Sequence, residues 1–415
     1  MPIAEFSKQK LRVLKALGLK RVMLLPIATI SVFSLFLLSK LMTVNVHYIY
    51  NSRIGHFATN TELSYLSTQT SNTSHRFKQL HLFFFESKKS ANSFIETLWR
   101  RKLTVLPQDL GWLIYDLAKR LPMSKIAAQS TNDDVDGLLV ATKPTLTFNS
   151  SELAEGQIFL RKLGLSPNDK FICLNVRDGV FLRESEAIGW TKNRDWSYHD
   201  YRDSDISTYV KAAEVLAEMG YTVFRMGAIV KEPLISKHPR VVNYATNGMR
   251  TEFLDIFLGA HCTFCISTGS GWDSVPTIFR RPIMLVNHLP TFETSTITLP
   301  ITIYPKLLME TKSPITLSIK ALTERNLATP HNSAAYADAG VQIRDLSSEE
   351  LVEAITEMAQ RVEGTFVETP KQKEMQAKLK HILSTHPKLQ PTPNYYPIRA
   401  EFASCFLSRY PNFLD

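Results

Sequence analysis

Short apolar runs alternate with segments of helical periodicity along most of the 415-residue chain. The apolar runs predict strands, and the amphipathic segments between them predict helices. Strands are predicted at Leu41–Tyr50, Leu80–Glu86, Lys102–Leu106, Lys170–Val176, Tyr221–Met226, Val241–Tyr244, Cys262–Ile266 and Ile283–Val286. Helices are predicted at Asn92–Arg100, Gly111–Arg120, Glu155–Leu163, Ser207–Met219, Glu252–Gly259, Ser347–Arg361 and Lys371–Ser384. This alternation is typical of an α/β fold with parallel sheets, arranged here in two halves.

The first apolar segment, Val22–Leu38, follows a basic stretch and contains Pro26. As a helix it would measure roughly 25 Å, just short of the hydrocarbon core of a bilayer. It fits a spanning helix, a helix lying in the membrane interface, or a buried helix. A span would place the rest of the chain outside the cytoplasm by the positive-inside rule, away from nucleotide-activated substrates. We therefore expect residues 1–40 to attach the protein to the cytoplasmic face of the inner membrane.

The charge distribution and the cysteine content indicate which kinds of partner and site the protein has. Six basic residues against Glu5 give the first 21 residues a charge of +5, which leaves only +4 of the total +9 for the remainder. No basic stripe with interleaved aromatic residues follows, so a nucleic-acid partner is not indicated, whereas an anionic membrane surface is. Four cysteines form neither a disulfide framework nor a zinc signature. Asp203-x-Asp205 has the spacing of a metal-binding triplet, but a helix N-terminus explains it more simply, and no metal or cofactor is implied.

The segment Cys262–Val286 reads as strand, glycine-rich turn, helix and strand. The turn is built of Ser267, Thr268, Gly269, Ser270 and Gly271, followed by Asp273. Backbone N–H groups at such a turn bind phosphate well, and glycine permits close approach of a ligand. An ordinary αβ turn is the alternative at this place.

Other unusual residues also fall where predicted strands end, and in open α/β sheets ligands bind at those ends. They are Arg177, Asp178, Arg225, Gly227, Asn287, His288 and Glu293. Arg177 and Arg225 could clamp a diphosphate, because a guanidinium matches phosphate geometry. For each arginine a surface salt bridge is the alternative. Tyr201, Arg202 and Asp203 lie in a polar loop before a helix, where binding of a sugar or its phosphate is the hypothesis.

Arg53, Gly55 and His56 follow the first predicted strand. Thr59-x-x-Glu62 predicts a capping box that opens the next helix, which places His56 in the turn before it. A histidine there could deprotonate an attacking hydroxyl. Glu62 and Asp178 are the other candidate bases, with capping roles as their alternatives.

Four motifs together resemble a bacterial family of glycosyltransferases of surface-polysaccharide assembly: Arg53-Ile-Gly-His56, His199-x-Tyr-Arg-Asp-Ser-Asp-Ile206, Ser267-Thr-Gly-Ser-Gly-Trp-Asp273 and Phe406-Leu-Ser-Arg-Tyr-Pro-Asn-Phe-Leu414. Asn175-Val-Arg177-Asp-Gly179 also resembles the His-x-Arg-x-Gly-Asp-like strand end of fucosyltransferase-type enzymes. Here Asn replaces His and the order changes, so donor identity does not carry across.

The resemblance implies a GT-B fold, with two Rossmann-like domains facing across a cleft. The expected segments are a membrane-attachment segment (1–40), an acceptor domain (41–155), a nucleotide-sugar domain (156–345) and C-terminal helices that pack back on the domains (346–415). The implied activity is sugar transfer from a nucleotide sugar, a substrate rather than a cofactor, to a membrane-associated glycan or lipid-linked acceptor. Two alternatives stay open, namely a sugar-nucleotide epimerase or hydrolase of the same fold and a catalytically silent, membrane-tethered scaffold. Sugar, nucleobase, stereochemistry and oligomeric state do not follow from the residues.

Overall fold

A computed structural model describes residues 19–70, 79–121, 124–128, 133–134, 136–184, 195–292, 299–311, 315–389 and 400–415. The chain divides into two compact units. The first unit comprises Met1–Asn92 and Glu96–Asn132, and the second comprises Ser93–Ile95 and Asp133–Asp415.

The described residues between 19 and 128 form a three-stranded sheet with helices. The elements in chain order are α1 (Leu19–Leu38), β1 (Thr43–Ile49), α2 (Ile54–Thr70), β2 (Gln79–Phe85), α3 (Ser93–Arg100), α4 (Gln108–Arg120) and β3 (Ala127–Ala128). The strand order is β2-β1-β3, and both pairings are parallel. Apolar side chains of α1, β1, β2 and α4 share one core, which includes Ala28, Val46, Phe84 and Ile114. The first unit is therefore an α/β structure with a parallel sheet, as predicted.

The start of α2 corrects one prediction. The helix begins at Ile54, so His56 lies in its first turn and not in a turn before it. Thr59 and Glu62 are buried in the helix interior and do not form an N-terminal capping box. The reason is that residues three apart share a helix face anywhere along a helix, so their spacing alone does not locate its start.

A second correction concerns Lys102–Leu106, which was predicted as a strand. It contributes only an isolated parallel bridge, between Val105 and Phe83. The extended segment stays short because Pro107 caps α4 directly after it.

The second unit contains a seven-stranded sheet with the order β12-β9-β8-β7-β4-β5-β6, and all of its pairings are parallel. The strands are β4 (Phe171–Asn175), β5 (Thr222–Arg225), β6 (Val241–Val242), β7 (Cys265–Ser267), β8 (Ile283–His288), β9 (Ile301–Pro305) and β12 (Ala400–Phe402), while β10 (Leu307–Glu310) and β11 (Val341–Arg344) form a separate antiparallel pair. Strands β4, β5, β7, β8 and β9 are buried along their whole length, as expected for a sheet covered on both faces. The sequence pattern did not predict strands β9, β10, β11 and β12, because they are short or interrupted by polar residues.

The chain order of the strands reverses at the centre of this sheet. From β4 the chain moves outward through β5 and β6, and it then returns to the other side of β4 to form β7, β8 and β9. The register pairs Asn175, the last residue of β4, with Ser267, the last residue of β7. This topological switch point is where open parallel sheets form a crevice for ligands.

Helices surround this sheet largely where the sequence predicts them. They are α5 (Leu138–Ala141), α6 (Ser150–Lys162), α7 (Val180–Glu184), α8 (Val210–Glu218), α9 (Glu252–His261), α10 (Ser274–Ile278), α11 (Ile319–Glu324), α12 (Ser333–Asp338), α13 (Ser348–Glu363), α14 (Pro370–Thr385) and α15 (Ser404–Arg409). Helix α6 begins five residues before the predicted Glu155, because Asn149 and Glu152 form a capping box there. Capping boxes also open α13 and α14.

The α/β fold class with parallel sheets is thus confirmed for both units. The domain boundaries at residues 40, 155 and 345 stay predictions. Helix α1 is long and apolar enough to cross a membrane by length and composition, which by itself is weak evidence of membrane association.

Candidate functional site

A partly buried carboxylate organises the switch point of the seven-stranded sheet. Asp273 accepts hydrogen bonds from the Ser267 hydroxyl at 2.6 Å, the Ser270 backbone N–H at 2.6 Å and the Asn175 amide at 3.1 Å. Burial raises the pKa of Asp273, and these donors oppose the rise. Because three donors converge on it, Asp273 holds the ends of β4 and β7 in one arrangement.

Three N–H groups of the glycine-rich turn already have acceptors. Thr268 N–H donates to the Asn175 carbonyl at 3.2 Å, Gly269 N–H to the Ser267 hydroxyl at 3.2 Å and Ser270 N–H to Asp273. The Thr268 hydroxyl accepts from the Arg177 N–H at 2.9 Å. Gly271 opens a short 3₁₀ turn capped by Ser270. Phosphate binding by the Ser267–Gly271 turn stays a prediction, and a phosphate would compete there with Asp273.

His288 lies against this turn and has an unusual environment. It is the last residue of β8 and is 4% exposed, and neither ring nitrogen has a hydrogen-bond partner among the described residues. A Cβ atom at Gly269 would lie only 2.9 Å from His288 Nδ1, and Gly269 has φ +82°. Burial, together with the charge of Arg202, lowers the pKa of His288 to about 3. The imidazole is therefore neutral and presents one donor and one acceptor.

Arg202 lies beside the same turn, because its Nη2 donates to the Gly269 carbonyl at 2.6 Å. Arg202 ends the 3₁₀ turn Ser197–Arg202, which the sequence analysis interpreted as a binding loop. Tyr201 in that turn is buried, and its ring lies 5.4 Å from the ring of Tyr336. The structure thus brings Arg202 to the switch point, whereas Tyr201 packs into the core.

Arg177 follows β4 and pairs with a carboxylate. Its Nη1 donates to Asp203 Oδ1 and, at 3.1 Å, to the His199 carbonyl. Burial lowers the pKa of Arg177 and raises the pKa of Asp203, and the mutual attraction opposes both shifts. Burial thus penalises both charges, and their pairing partly compensates for it.

Arg225, the second predicted phosphate clamp, is almost completely buried, with 1% exposure. It donates to the Met226 carbonyl and lies 3.9 Å from Asp178 Oδ2, and burial lowers its pKa to about 10. Asp178 also accepts from the N–H groups of Val180 at 3.1 Å and Lys231 at 2.9 Å. The contacts of Asp178 are those of a loop-organising carboxylate.

Gly227 and Asn287 are tightly enclosed. A Cβ atom at Gly227, whose φ is +149°, would lie 2.3 Å from Val230 Cγ1. The fully buried Asn287 amide donates to the Tyr209 hydroxyl at 2.9 Å and accepts from the Leu346 N–H at 2.7 Å. Glu293, the remaining predicted ligand of this edge, lies outside the described residues.

The second group of candidate residues lies at the sheet edge of the first unit, around His56 at the start of α2. His56 Nδ1 lies 3.3 Å from Asn60 Oδ1, one helical turn along the same face. When Nδ1 carries the proton and donates it to Asn60, Nε2 presents its lone pair. Burial lowers the pKa of His56, with a further decrease from Arg53, while Asn60 and Glu86 oppose the shift. The neutral, oriented ring has the properties of a general base.

Glu62 and His56 do not share a helix face. Six residues at about 100° each separate them by roughly 120° around the α2 axis. Glu62 is fully buried, His56 is half-buried, and Arg53 beside them is exposed. Gly55 lies between Arg53 and His56 in the first turn of the helix.

Metal-ligating residues do not cluster in the part of the chain that the structure describes. No group of three or more His, Cys, Asp or Glu side chains is arranged to hold a metal ion there.

Comparisons with known proteins give weak likenesses. No family model and no curated protein matches the chain. Among solved structures, ADP-heptose LPS heptosyltransferase II of E. coli is 13% identical, with a TM-score of 0.41, covering 77% of this chain and 100% of its own. A family 9 glycosyl transferase from Veillonella parvula is 11% identical, with a TM-score of 0.38, covering 64% of this chain and 87% of its own. The iron-containing dodecameric glycosyltransferase TibC from enterotoxigenic E. coli is 10% identical, with a TM-score of 0.31, covering 60% of each chain.

All three of these structures are glycosyltransferases by name. With TM-scores this low, the likeness carries no argument about residues, donor or acceptor. The activity has to be argued from the geometry of the two sheet edges.

Proposed function

We propose that this protein is a glycosyltransferase that moves a sugar from a nucleotide-activated donor to a membrane-associated glycan or lipid-linked acceptor. The observation that carries the proposal is the contrast between two parallel-sheet edges. One edge presents His56 as a neutral base oriented by Asn60. The other presents arginines and hydroxyls at a topological switch point.

The second unit would hold the donor. Arg177 and Arg202 supply positive charge beside the turn that contains Thr268 and Ser270. A diphosphate suits guanidinium groups because its oxygens accept paired hydrogen bonds. Asp203 is the partner of Arg177, so binding of a diphosphate to Arg177 would exchange one anion for another. This exchange avoids an unpaired buried arginine at either stage.

The first unit would hold the acceptor and its base. His56 Nε2 takes the proton of the acceptor hydroxyl while the acceptor oxygen forms a bond to the anomeric carbon of the sugar. The bond from that carbon to the diphosphate breaks, and its electron pair leaves with the nucleoside diphosphate. The arginines stabilise the leaving group, and His56 then releases its proton to water.

Helix α1 would keep the protein at the membrane by lying in the interface. Its inner face packs Ala28, Val32 and Leu35 into the first unit. Its outer face carries an apolar stripe that is 52–71% exposed, formed by Met23, Ile27, Ile30, Phe33 and Leu37. A helix with one face on its own domain and one apolar face outward suits attachment parallel to the membrane better than a span. The cytoplasmic face is proposed because nucleotide-activated donors are found there.

The test is transfer by the full-length protein from labelled nucleotide sugars to a membrane extract. We expect label from one nucleotide sugar to enter the lipid-extractable fraction. Release of free labelled sugar or an epimer without acceptor would favour the epimerase or hydrolase alternative. Absence of both transfer and thermal stabilisation by any nucleotide, from a protein that melts cooperatively, would favour the scaffold and overturn the proposal.

A further inference from the structure

Two neighbouring cavities lie in the first unit and share one wall, formed by Lys88, Pro107 and Gln108. The cavity of about 370 Å³ extends from this wall to Phe85 and Arg100. The cavity of about 400 Å³ extends from it toward α1 and is also lined by Leu24, Asp109 and Leu110. We call the two cavities together the Lys88 groove. Volumes of this order suit a ligand headgroup and the first part of a chain.

The charges that line the Lys88 groove leave one cation uncompensated. Asp109 forms a salt bridge with Arg21 at 3.2 Å, and Glu96 forms one with Arg100 at 2.8 Å. Both acidic groups of the lining therefore have a basic partner. Lys88, in the shared wall, is exposed and has no salt-bridge partner in the described parts of the chain. The groove thus offers an ammonium group to an anion.

The apolar side of the groove continues into the outer face of α1. Leu24 follows Met23 directly and precedes Ile27 by three residues, so it lies at the border of the exposed apolar stripe. The same side chain lines the larger cavity together with Pro107 and Leu110. Leu24 therefore connects the exposed apolar stripe with the apolar wall of the larger cavity.

The groove also adjoins the edge that carries the candidate base. Gln108 Nε2 and Trp112 Nε1 both donate to the Glu86 carbonyl, at 2.6 and 3.1 Å. The Glu86 carboxylate accepts from Ser52, near the start of the helix that carries His56, and its charge acts on the pKa of His56. Lys88 follows Glu86 by two residues. An anion held by Lys88 is thus on the same side of the first unit as the base.

We propose that the Lys88 groove binds a lipid phosphate, with the phosphate on Lys88 and the apolar chain along Leu24 and the α1 stripe. The inference rests on the proposed function in one respect, because it identifies the lipid phosphate as part of the acceptor. A lone surface phosphate would use only Lys88, whereas a lipid phosphate also uses the apolar wall. The preferred chain is therefore long and flexible, such as a polyisoprenyl chain, with its remainder in the bilayer.

The test measures binding of a polyisoprenyl phosphate to the full-length protein in detergent micelles, without any donor. Lys88→Ala is compared with Lys89→Ala, which removes the neighbouring exposed lysine that does not line either cavity. We expect about a tenfold weaker Kd for Lys88→Ala, as for loss of one charge-assisted contact, and a Kd within about twofold for Lys89→Ala. Lys88→Arg should restore most of the affinity. Leu24→Trp, which fills the larger cavity, should weaken binding while the melting temperature stays close to that of the unmodified protein.

Competitors distinguish the possible sources of the phosphate. The free polyisoprenol and inorganic phosphate should each compete poorly, because each lacks one half of the contacts. Equal competition by phosphatidylglycerol would show that the groove takes membrane phospholipids in general and would overturn its assignment to the acceptor. An unchanged Kd in both Lys88→Ala and Leu24→Trp would overturn binding in the groove altogether. Donor binding, followed separately by thermal shift with nucleoside diphosphates, tells failure of this groove from failure of the transferase proposal.

Discussion

The two sheet edges differ in how far their charged groups are already paired. At the edge of the second unit, Arg177, Arg225 and Asp273 all have intramolecular partners, although the ring nitrogens of the buried His288 have none among the described residues. At the edge of the first unit, His56 has one nitrogen oriented by Asn60, and it is only half-buried. A paired arginine suits a ligand that replaces its present anion, whereas a half-buried histidine with one free nitrogen suits proton transfer. The proposed function accordingly places donor binding in one unit and acid–base chemistry in the other.

The largest expected effect comes from His56. His56→Ala should lower kcat by roughly 10²–10⁴-fold, since a general base contributes about that much. Donor binding, measured by thermal shift, should stay unchanged, because the donor is assigned to the other unit. His381→Ala, at an exposed position on α14, is the matched control. If the His56→Ala enzyme stayed fully active, the assignment of the general base to the edge of the first unit would be wrong.

The next effect concerns the arginine that pairs with Asp203. Arg177→Ala alone would leave a carboxylate in a buried site, so the informative variant is the pair Arg177→Ala and Asp203→Asn. We expect this double variant to weaken nucleoside diphosphate binding by roughly tenfold to a hundredfold, the loss of one charged hydrogen-bonding group. Titration calorimetry measures it, with the exposed Arg240→Ala as control. Unchanged binding would indicate that Arg177 only forms a structural salt bridge with Asp203.

A third comparison contrasts the two faces of α1. The double variant Ile30→Ser and Phe33→Ser, on the exposed stripe, should reduce partitioning to anionic vesicles by roughly tenfold or more, because apolar burial in the interface is lost. Val32→Ala, on the packed face, should instead lower the free energy of unfolding by about 1–3 kcal/mol with little change in partitioning. Vesicle flotation and urea unfolding measure the two quantities. Equal vesicle binding by all three proteins would contradict in-plane attachment.

The smallest effect is a shift in pH dependence. The pKa of His56 is lowered from 6.5 mainly by burial, and a base must be neutral to act, so kcat/KM should be full above this pKa and fall as pH decreases through a midpoint below 6.5. The Asn60 hydrogen bond raises this pKa, so Asn60→Leu should move the midpoint to lower pH. The pH profile of kcat/KM checks this. A midpoint that is insensitive to Asn60→Leu would indicate another base.

The sequence predicted much of the fold because buried parallel strands are continuous apolar runs. Strands β4, β5, β7 and β8 lie within a few residues of their predicted positions. It failed where local spacing has two interpretations, as with Thr59 and Glu62, which lie inside α2 rather than at its start. It also missed β12, three residues long, which exists only because β9 offers an open edge for pairing.

The residues of the candidate site also divide into those whose role the sequence predicted and those whose role it did not. The sequence identified His56, Arg177 and the Ser267–Asp273 turn as residues at strand ends, and Arg202 as part of a polar loop before a helix. Both are local properties of the chain. It placed His288 at a strand end without assigning it a role, because nothing local distinguishes a histidine whose ring nitrogens are both buried from one at the surface.

The sequence by itself therefore determined the order of strands and helices, the polar strand ends and the apolar N-terminal segment, because each depends on residues close together in the chain. Only the tertiary structure decided that Asp273 joins β4 to β7, that Arg177 has Asp203 as its partner, and that one face of α1 packs on its own unit. Those outcomes depend on which distant residues meet and on how deeply they are buried. Burial and pairing are energies of the folded arrangement, and no local pattern in the chain encodes them.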